Sequence, residues 1–146
     1  MSGDYPVNLA RGITSRDCLV EGQLKPCVFQ FTRNEGTGLH EMSIQWLDDE
    51  KSEQIAKSML RRDDGNPKFG LGFAVLATSV LDEIKSIECY QGLEYCRVPN
   101  YSPECYNPYH GHITVPIEMR SVRRQLASEL ALNSKLYKFD EPLPIE

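Results

Sequence analysis

The chain has no long apolar run. Its most apolar window, Phe69 to Ala77, is far shorter than the ~20 residues a helix needs to cross a bilayer. Positive charge is scarce: 16 Lys and Arg face 21 Asp and Glu, a net charge of −5. That balance excludes the basic footprint on which non-specific nucleic-acid binding depends. The start, Met1 to Pro6, lacks a basic region followed by an apolar one, so no secretory signal is read and a cytoplasmic location is expected. Cysteine is present without a pattern. Cys18, Cys27, Cys89, Cys96 and Cys105 include no Cys-x-x-Cys, and an odd number without a signal reads as reduced, mostly buried thiols. Cys89, Cys96, Cys105, His110 and His112 are the right donor types for zinc, but spacings of seven and nine fit no compact knuckle. A zinc-binding domain is therefore a lesser alternative, and no cofactor is expected.

What is present suits one soluble globular domain. With 146 residues, 40% hydrophobic and 25% charged, the chain can bury roughly two-thirds of its unfolded surface without a metal or a disulfide. A strand is read at Val7 to Ile13, then a short turn of helix capped by Ser15. Cys27 to Arg33 reads as a strand with Cys27, Phe29 and Phe31 on one side, and Asn34 to Gly38 as a hairpin turn. Leu39 to Leu47 alternates, with Met42, Ile44 and Trp46 inward and Glu41, Ser43 and Gln45 outward; His40 has the inward parity.

Asp48 is expected to cap a helix from Asp49 to Arg62, with Ile55, Ala56, Met59 and Leu60 as its apolar stripe and Asp63 to Pro67 as its stop. Phe69 to Ala77 is apolar on both faces, as in a central strand. Val80 to Ile84 reads as a short helix, Ile87 to Val98 as extended and Pro99 to Pro108 as a loop. A strand follows at His112, and Ser121 to Leu132 closes the fold as a helix with Val122, Leu126 and Leu130 on its core stripe. The expectation is a single α+β domain over residues 1–139: a mixed, largely antiparallel sheet of five or six strands packed on two main helices. The acidic tail, 140–146, is expected to fray.

The most informative stretch is Asn107-Pro108-Tyr109-His110-Gly111-His112-Ile113-Thr114, which holds two of the three histidines. Alternation gives His110, His112 and Thr114 one polar face, with Ile113 and Val115 on the other. Two imidazoles on one strand face can bind metal, handle phosphate or pass protons; they can also be ordinary strand-end residues. Five of the seven tyrosines (Tyr90, Tyr95, Tyr101, Tyr106 and Tyr109) precede or enter this stretch. Their rings suit a recognition surface, or they simply cover a sheet edge. Arg120, Arg123 and Arg124 stand at the amino end of the closing helix, against its dipole, which favours a partner or anion there.

Tyr106, Tyr109, His110, His112, Arg120, Arg123 and Arg124 are accordingly expected to form one binding patch, for a protein partner or a small anion such as phosphate. The leading reading is a non-enzymatic intracellular binding protein, an accessory, immunity-like or regulatory component without a membrane role. The alternative is a small phosphoester- or nucleotide-directed enzyme. It would use His110, His112 and Thr114, with an arginine from Arg11, Arg120 or Arg124 on phosphate.

His112-Ile113-Thr114-Val115 resembles half of the 2H phosphoesterase signature, without a second copy: Ser43 stands one position too far from His40. The same run resembles a histidine-triad motif with Thr114 in place of a third histidine. Arg11-Gly12 resembles the first-strand element of ADP-ribosyltransferases, but no Ser-Thr-Ser or Gln/Glu-x-Glu signature follows. The whole chain is similar to small uncharacterised bacterial proteins. The shared outline runs from Arg11-Gly12 through Glu41-Met42-Ser43-Ile44-x-Trp46 and Asn107-Pro108-x-His110-x-His112 to a helix containing Arg123-Arg124. That likeness implies a single compact bacterial domain and no particular activity.

Overall fold

The computed structural model describes residues 6–59, 71–102 and 105–145, and not the side chains of residues 59, 101, 102 and 105. Strand β1 (Asn8–Gly12) leads through a 3-10 turn at Arg16–Cys18 to the two-residue strands β2 (Leu19–Val20) and β3 (Gln23–Leu24). A second 3-10 turn, Pro26–Phe29, precedes β4 (Thr32–Arg33) and β5 (His40–Trp46). Helix α1 (Glu50–Met59), β6 (Phe73–Ala77) and α2 (Thr78–Lys85) follow. The chain continues through β7 (Glu94–Arg97), β8 (Asn100–Ser102), β9 (Cys105–Asn107), β10 (His110–Val115), α3 (Arg120–Leu132) and β11 (Lys135–Tyr137).

The main sheet runs β11-β6-β1-β5-β10-β7, with β4 also on β5, and every pairing is antiparallel. This is the α+β class read from the sequence, with seven strands and three helices among the described residues. Alternation along the strands sorts the side chains. Leu9, Met42, Ile44, Trp46, Leu76, Ile113 and Val115 form one core with Leu81 and Ile84 of α2 and Leu126 and Leu130 of α3. Ala10, Leu47, Phe73 and Val75 form a second core with Ala56 of α1. Both faces of the sheet are therefore covered around β6, as its two-sided apolar run requires.

Several local expectations are corrected. Cys27 to Phe29 is not strand: Pro26 presets the first position of a 3-10 turn, and only Thr32–Arg33 pairs with β5. Cys18 and Cys27 are joined in a disulfide, Cα to Cα 5.4 Å, because the β2–β3 hairpin folds the chain back between them. Five reduced thiols are thus not found, and the cytoplasmic reading loses one support, since persistent disulfides mark oxidising surroundings. Among the described residues no helix is long and apolar enough to cross a membrane.

Asp49, not Asp48, caps α1. Its carboxylate accepts from the Ser52 N–H and its own N–H donates to Ser52 Oγ, both at 3.0 Å. Asp48 instead pairs with Arg97 at 2.9 Å. The segment from Pro99 to Pro108, expected as loop, contains the β8–β9 hairpin. Within the acidic tail Leu143 is buried in the second core, and its N–H donates to the Glu53 carboxylate at 2.7 Å. The expectations for Leu60 to Gly70, Pro103 and the side chain of Met59 lie outside what is described.

Candidate functional site

The Asn107–Thr114 stretch explains itself first as architecture. Asn107 is almost fully buried; its amide donates to Gln45 Oε1 at 2.8 Å, and its carbonyl oxygen accepts from the Tyr109 N–H at 3.0 Å. Gln45 passes the chain of bonds on, donating to the Ser52 carbonyl at 3.2 Å. This amide relay ties the β9–β10 turn to β5 and α1. It also explains why Gln45, placed outward by parity, is buried: outward here means under α1. Tyr109 contributes its carbonyl to the Trp46 N–H at 2.8 Å. Gly111 lies against the Trp46 indole, where a Cβ would collide with Nε1 and with the Cys96 carbonyl. Three of the residues in Asn-Pro-Tyr-His-Gly-His are therefore accounted for by packing and hydrogen bonding alone.

The two histidines are what remains. In register, His110 lies opposite Gln45 and His112 opposite Ser43, so both stand on the α1 side of the sheet. Their rings meet edge to face with centroids 5.0 Å apart. His110 Nδ1 is 2.9 Å from the Val98 carbonyl, which can only accept, so Nδ1 carries the proton and Nε2 is the acceptor in the neutral ring. His112 Nδ1 is 3.7 Å from the Glu41 carboxylate. Burial holds the His112 pKa below its ordinary value; Glu41 pulls it up and His110 pushes it further down. Cys96, a free and half-buried thiol, is the register partner of His112 on β7. Thr114 lies opposite Glu41 on one side and Glu94 on the other.

Arg11 reaches this face from the other one, since on β1 it has the parity of Leu9 and Ile13 in the first core. Strand β5 pairs with β1 only at Gln45–Trp46 and with β4 only at His40–Glu41, leaving a gap at Met42 to Ile44. The Arg11 guanidinium fills that gap: Nε donates to the Val28 carbonyl and Nη1 to the Ser43 carbonyl, each at 2.6 Å. Both acceptors are neutral, and among the described residues no carboxylate pairs with Arg11. Burial lowers its pKa, the mark of a cation held out of water. Beside it is a cavity of about 310 Å³ lined by Arg11, Thr14, Ser43, Gln45 and His110 and floored by Ala56 and Phe73.

The expected joint patch is not assembled. Arg120, Arg123 and Arg124 lie on the other side of the sheet, around a separate cavity with Phe29, Phe31 and Ala127 of the first core. After β10 the chain turns at the end of this interior strand and lays α3 on the face opposite to the histidines, and nearness in sequence hid that change of face. The tyrosines also scatter. Tyr90 is buried, Tyr95 and Tyr109 pack against the core with their hydroxyls donating to Asp82 and Asp49, and Tyr106 is 64% exposed. Tyr101's side chain lies outside what is described.

Sequence reading missed Glu41, Ser43 and Cys96 as neighbours of the histidines, because strand register is set by long-range pairing. Among the described residues no group of three or more His, Cys, Asp or Glu is arranged to hold a metal. Compared with protein-family models, with curated proteins and with solved structures, the chain matches none of them.

Proposed function

We propose that this is a non-enzymatic binding protein, an accessory or regulatory component. Its ligand is a small, compact anion held on the α1 side of the sheet between Arg11 and His110. One observation carries the reading: a half-buried guanidinium that, among the described residues, is bonded only to neutral carbonyls, beside a largely apolar cavity that it lines with Ser43, Gln45 and His110. An uncompensated cation away from water is costly, and an oxyanion on its remaining N–H groups offsets that cost. Ser43, Thr14 and Gln45 add neutral polar groups around the same space.

The test is titration with inorganic phosphate followed by amide NMR. The expected shifts centre on Gly12, Ser43 and His110. Arg11→Gln should weaken binding at least tenfold and Arg11→Lys less, with thermal melts checking that each variant folds. Shifts spread evenly over the surface, or unchanged affinity in Arg11→Gln, would remove the reading.

A second reading, a hydrolytic enzyme, is favoured by the His112–Glu41 pair with Cys96 opposite and His110 in edge contact. A base oriented by a carboxylate next to a thiol is the arrangement that activates a nucleophile. It predicts that Cys96 reacts with iodoacetamide faster than Cys89, although Cys89 is the exposed one. Equal or slower reaction at Cys96 counts against it.

A further inference from the structure

The cavity on the opposite side of the sheet has a different chemistry. It measures about 590 Å³, within the range of small-molecule sites, and lies between the Pro26–Thr32 segment and the first half of α3. Phe31 gives it a partly open apolar lining, with Phe29 and Ala127 buried behind, and α3 brings Arg120, Arg123 and Arg124 to it. Arg123 is used within the fold, Nη1 donating to the Ile117 and Glu118 carbonyls at 3.0 and 2.7 Å. Arg120 and Arg124 make no ion pair or side-chain hydrogen bond among the described residues.

The local electrostatics are unfavourable without a ligand. Arg120 and Arg124 stand four apart on one helix, a like-charge pair that repels. Met119 gives α3 no side-chain cap, and no acidic residue lies in its first turn. In a chain of net charge −5, this corner gathers three cations and, among the described residues, no carboxylate paired with Arg120 or Arg124.

We infer that this cavity is a binding site for an amphipathic anion: a single carboxylate or phosphate headgroup on Arg120 and Arg124, with an apolar body against Phe31 and Ala127. The inference concerns a different cavity from the one lined by His110, with Arg11 reaching the Pro26–Thr32 segment only through its bond to the Val28 carbonyl. Headgroup and body are both required by the lining. A bare anion would leave the apolar wall wet, and a neutral hydrocarbon would leave the arginines unanswered.

The test is isothermal titration of the full chain with dodecanoate, dodecyl phosphate, dodecylamine and inorganic phosphate, below the micelle concentration of each amphiphile. Dodecanoate or dodecyl phosphate should bind at least tenfold more tightly than either dodecylamine or inorganic phosphate. Which of the two binds more tightly identifies the headgroup. Arg120→Glu with Arg124→Glu should weaken the better probe at least tenfold with the melt unchanged, because both side chains are on the rim. Phe31→Ser should weaken it through the body alone. Binding of dodecylamine equal to dodecanoate would overturn the anionic headgroup. Equal binding of inorganic phosphate would overturn the apolar body, and full affinity in the double arginine variant would overturn the site.

Discussion

The two faces of the sheet are built by different means. On the α2–α3 face the strands contribute large apolar groups, and the core closes with Leu126, Leu130, Leu81 and Phe29, all buried. Among the described residues the buried apolar set on the α1 face is smaller: Ala10, Leu47, Ala56, Phe73, Val75 and Leu143, with Tyr137 and Phe139 packed on it. The rest is a run of polar groups, the Asn107–Gln45–Ser52 relay, His110 and His112, Glu41 and the edge of Arg11. Stability is concentrated on the first face and chemistry on the second. A sheet with one dry and one polar side can hold titratable groups in fixed register, because the dry side supplies most of the burial that keeps the strands paired.

The sharpest way to break the comparison is Trp46. It is fully buried on the dry face, its indole N–H reaches the Cys96 carbonyl at 3.4 Å, and Gly111 packs on its ring. Trp46→Ala should cost about 3–5 kcal/mol in urea unfolding. A loss under about 1 kcal/mol would mean that the dry face does not carry the fold. The disulfide ranks next. Replacing Cys18 and Cys27 by serine should cost about 2–4 kcal/mol, by releasing a closed loop in the unfolded chain. Hydrogen exchange should rise in the Pro26–Phe29 segment and its α3 contacts and stay unchanged in α1. Equal loosening of α1 would show that the two faces are one cooperative unit.

How much of this was legible in the sequence follows the same division. The inward parity of Met42, Ile44 and Trp46 and the α3 stripe at Leu126 and Leu130 were readable, since apolar periodicity is local and the dry face is made of it. Gln45 was misread because strand parity tells only which face a residue takes, not whether that face is covered. The Cys18–Cys27 bond was missed because nothing in a spacing of nine announces the β2–β3 hairpin that closes it. The candidate site was half legible. Its two histidines share a face as their spacing requires, whereas Glu41, Ser43, Cys96 and Arg11 reach them only through pairings between distant strands. Arg120 to Arg124 were wrongly joined to them because the face on which α3 packs after β10 leaves no mark in composition.

A smaller effect probes the polar face directly. Asn107→Ala removes the donor to Gln45 Oε1 and the acceptor for the Tyr109 N–H. Gln45 is itself buried, so its oxygen is left without that partner, and the expected cost is about 1–3 kcal/mol. Amide shifts should appear at Ser52 and Tyr109, the two ends tied by the relay. A near-neutral result would mean that solvent reaches Gln45 and that the α1 side is not sealed.

The mildest prediction separates burial from attraction at His112. Its folded pKa lies below the ordinary histidine value, with burial the largest cause, the pull of Glu41 opposing it and His110 adding to it. Glu41 and Ser43 of β5 and Cys96 of β7 are the groups set against it on the neighbouring strands. Well above pH 6.5, about the unfolded histidine's own pKa, the ring is neutral in both folded and unfolded chains and contributes no pH dependence. Below that value the unfolded chain takes up a proton that the folded one resists, so stability falls with pH until the folded pKa is passed. His112→Gln cannot titrate and should not show this loss. The difference in unfolding free energy between wild type and His112→Gln, followed from pH 8 to pH 5, should therefore be flat and then turn against the wild type. If acidification instead favours the wild type, attraction by Glu41 outweighs burial. His112 would then be a charged partner of that carboxylate, and the face would be cationic in acid, where it should bind anions more strongly.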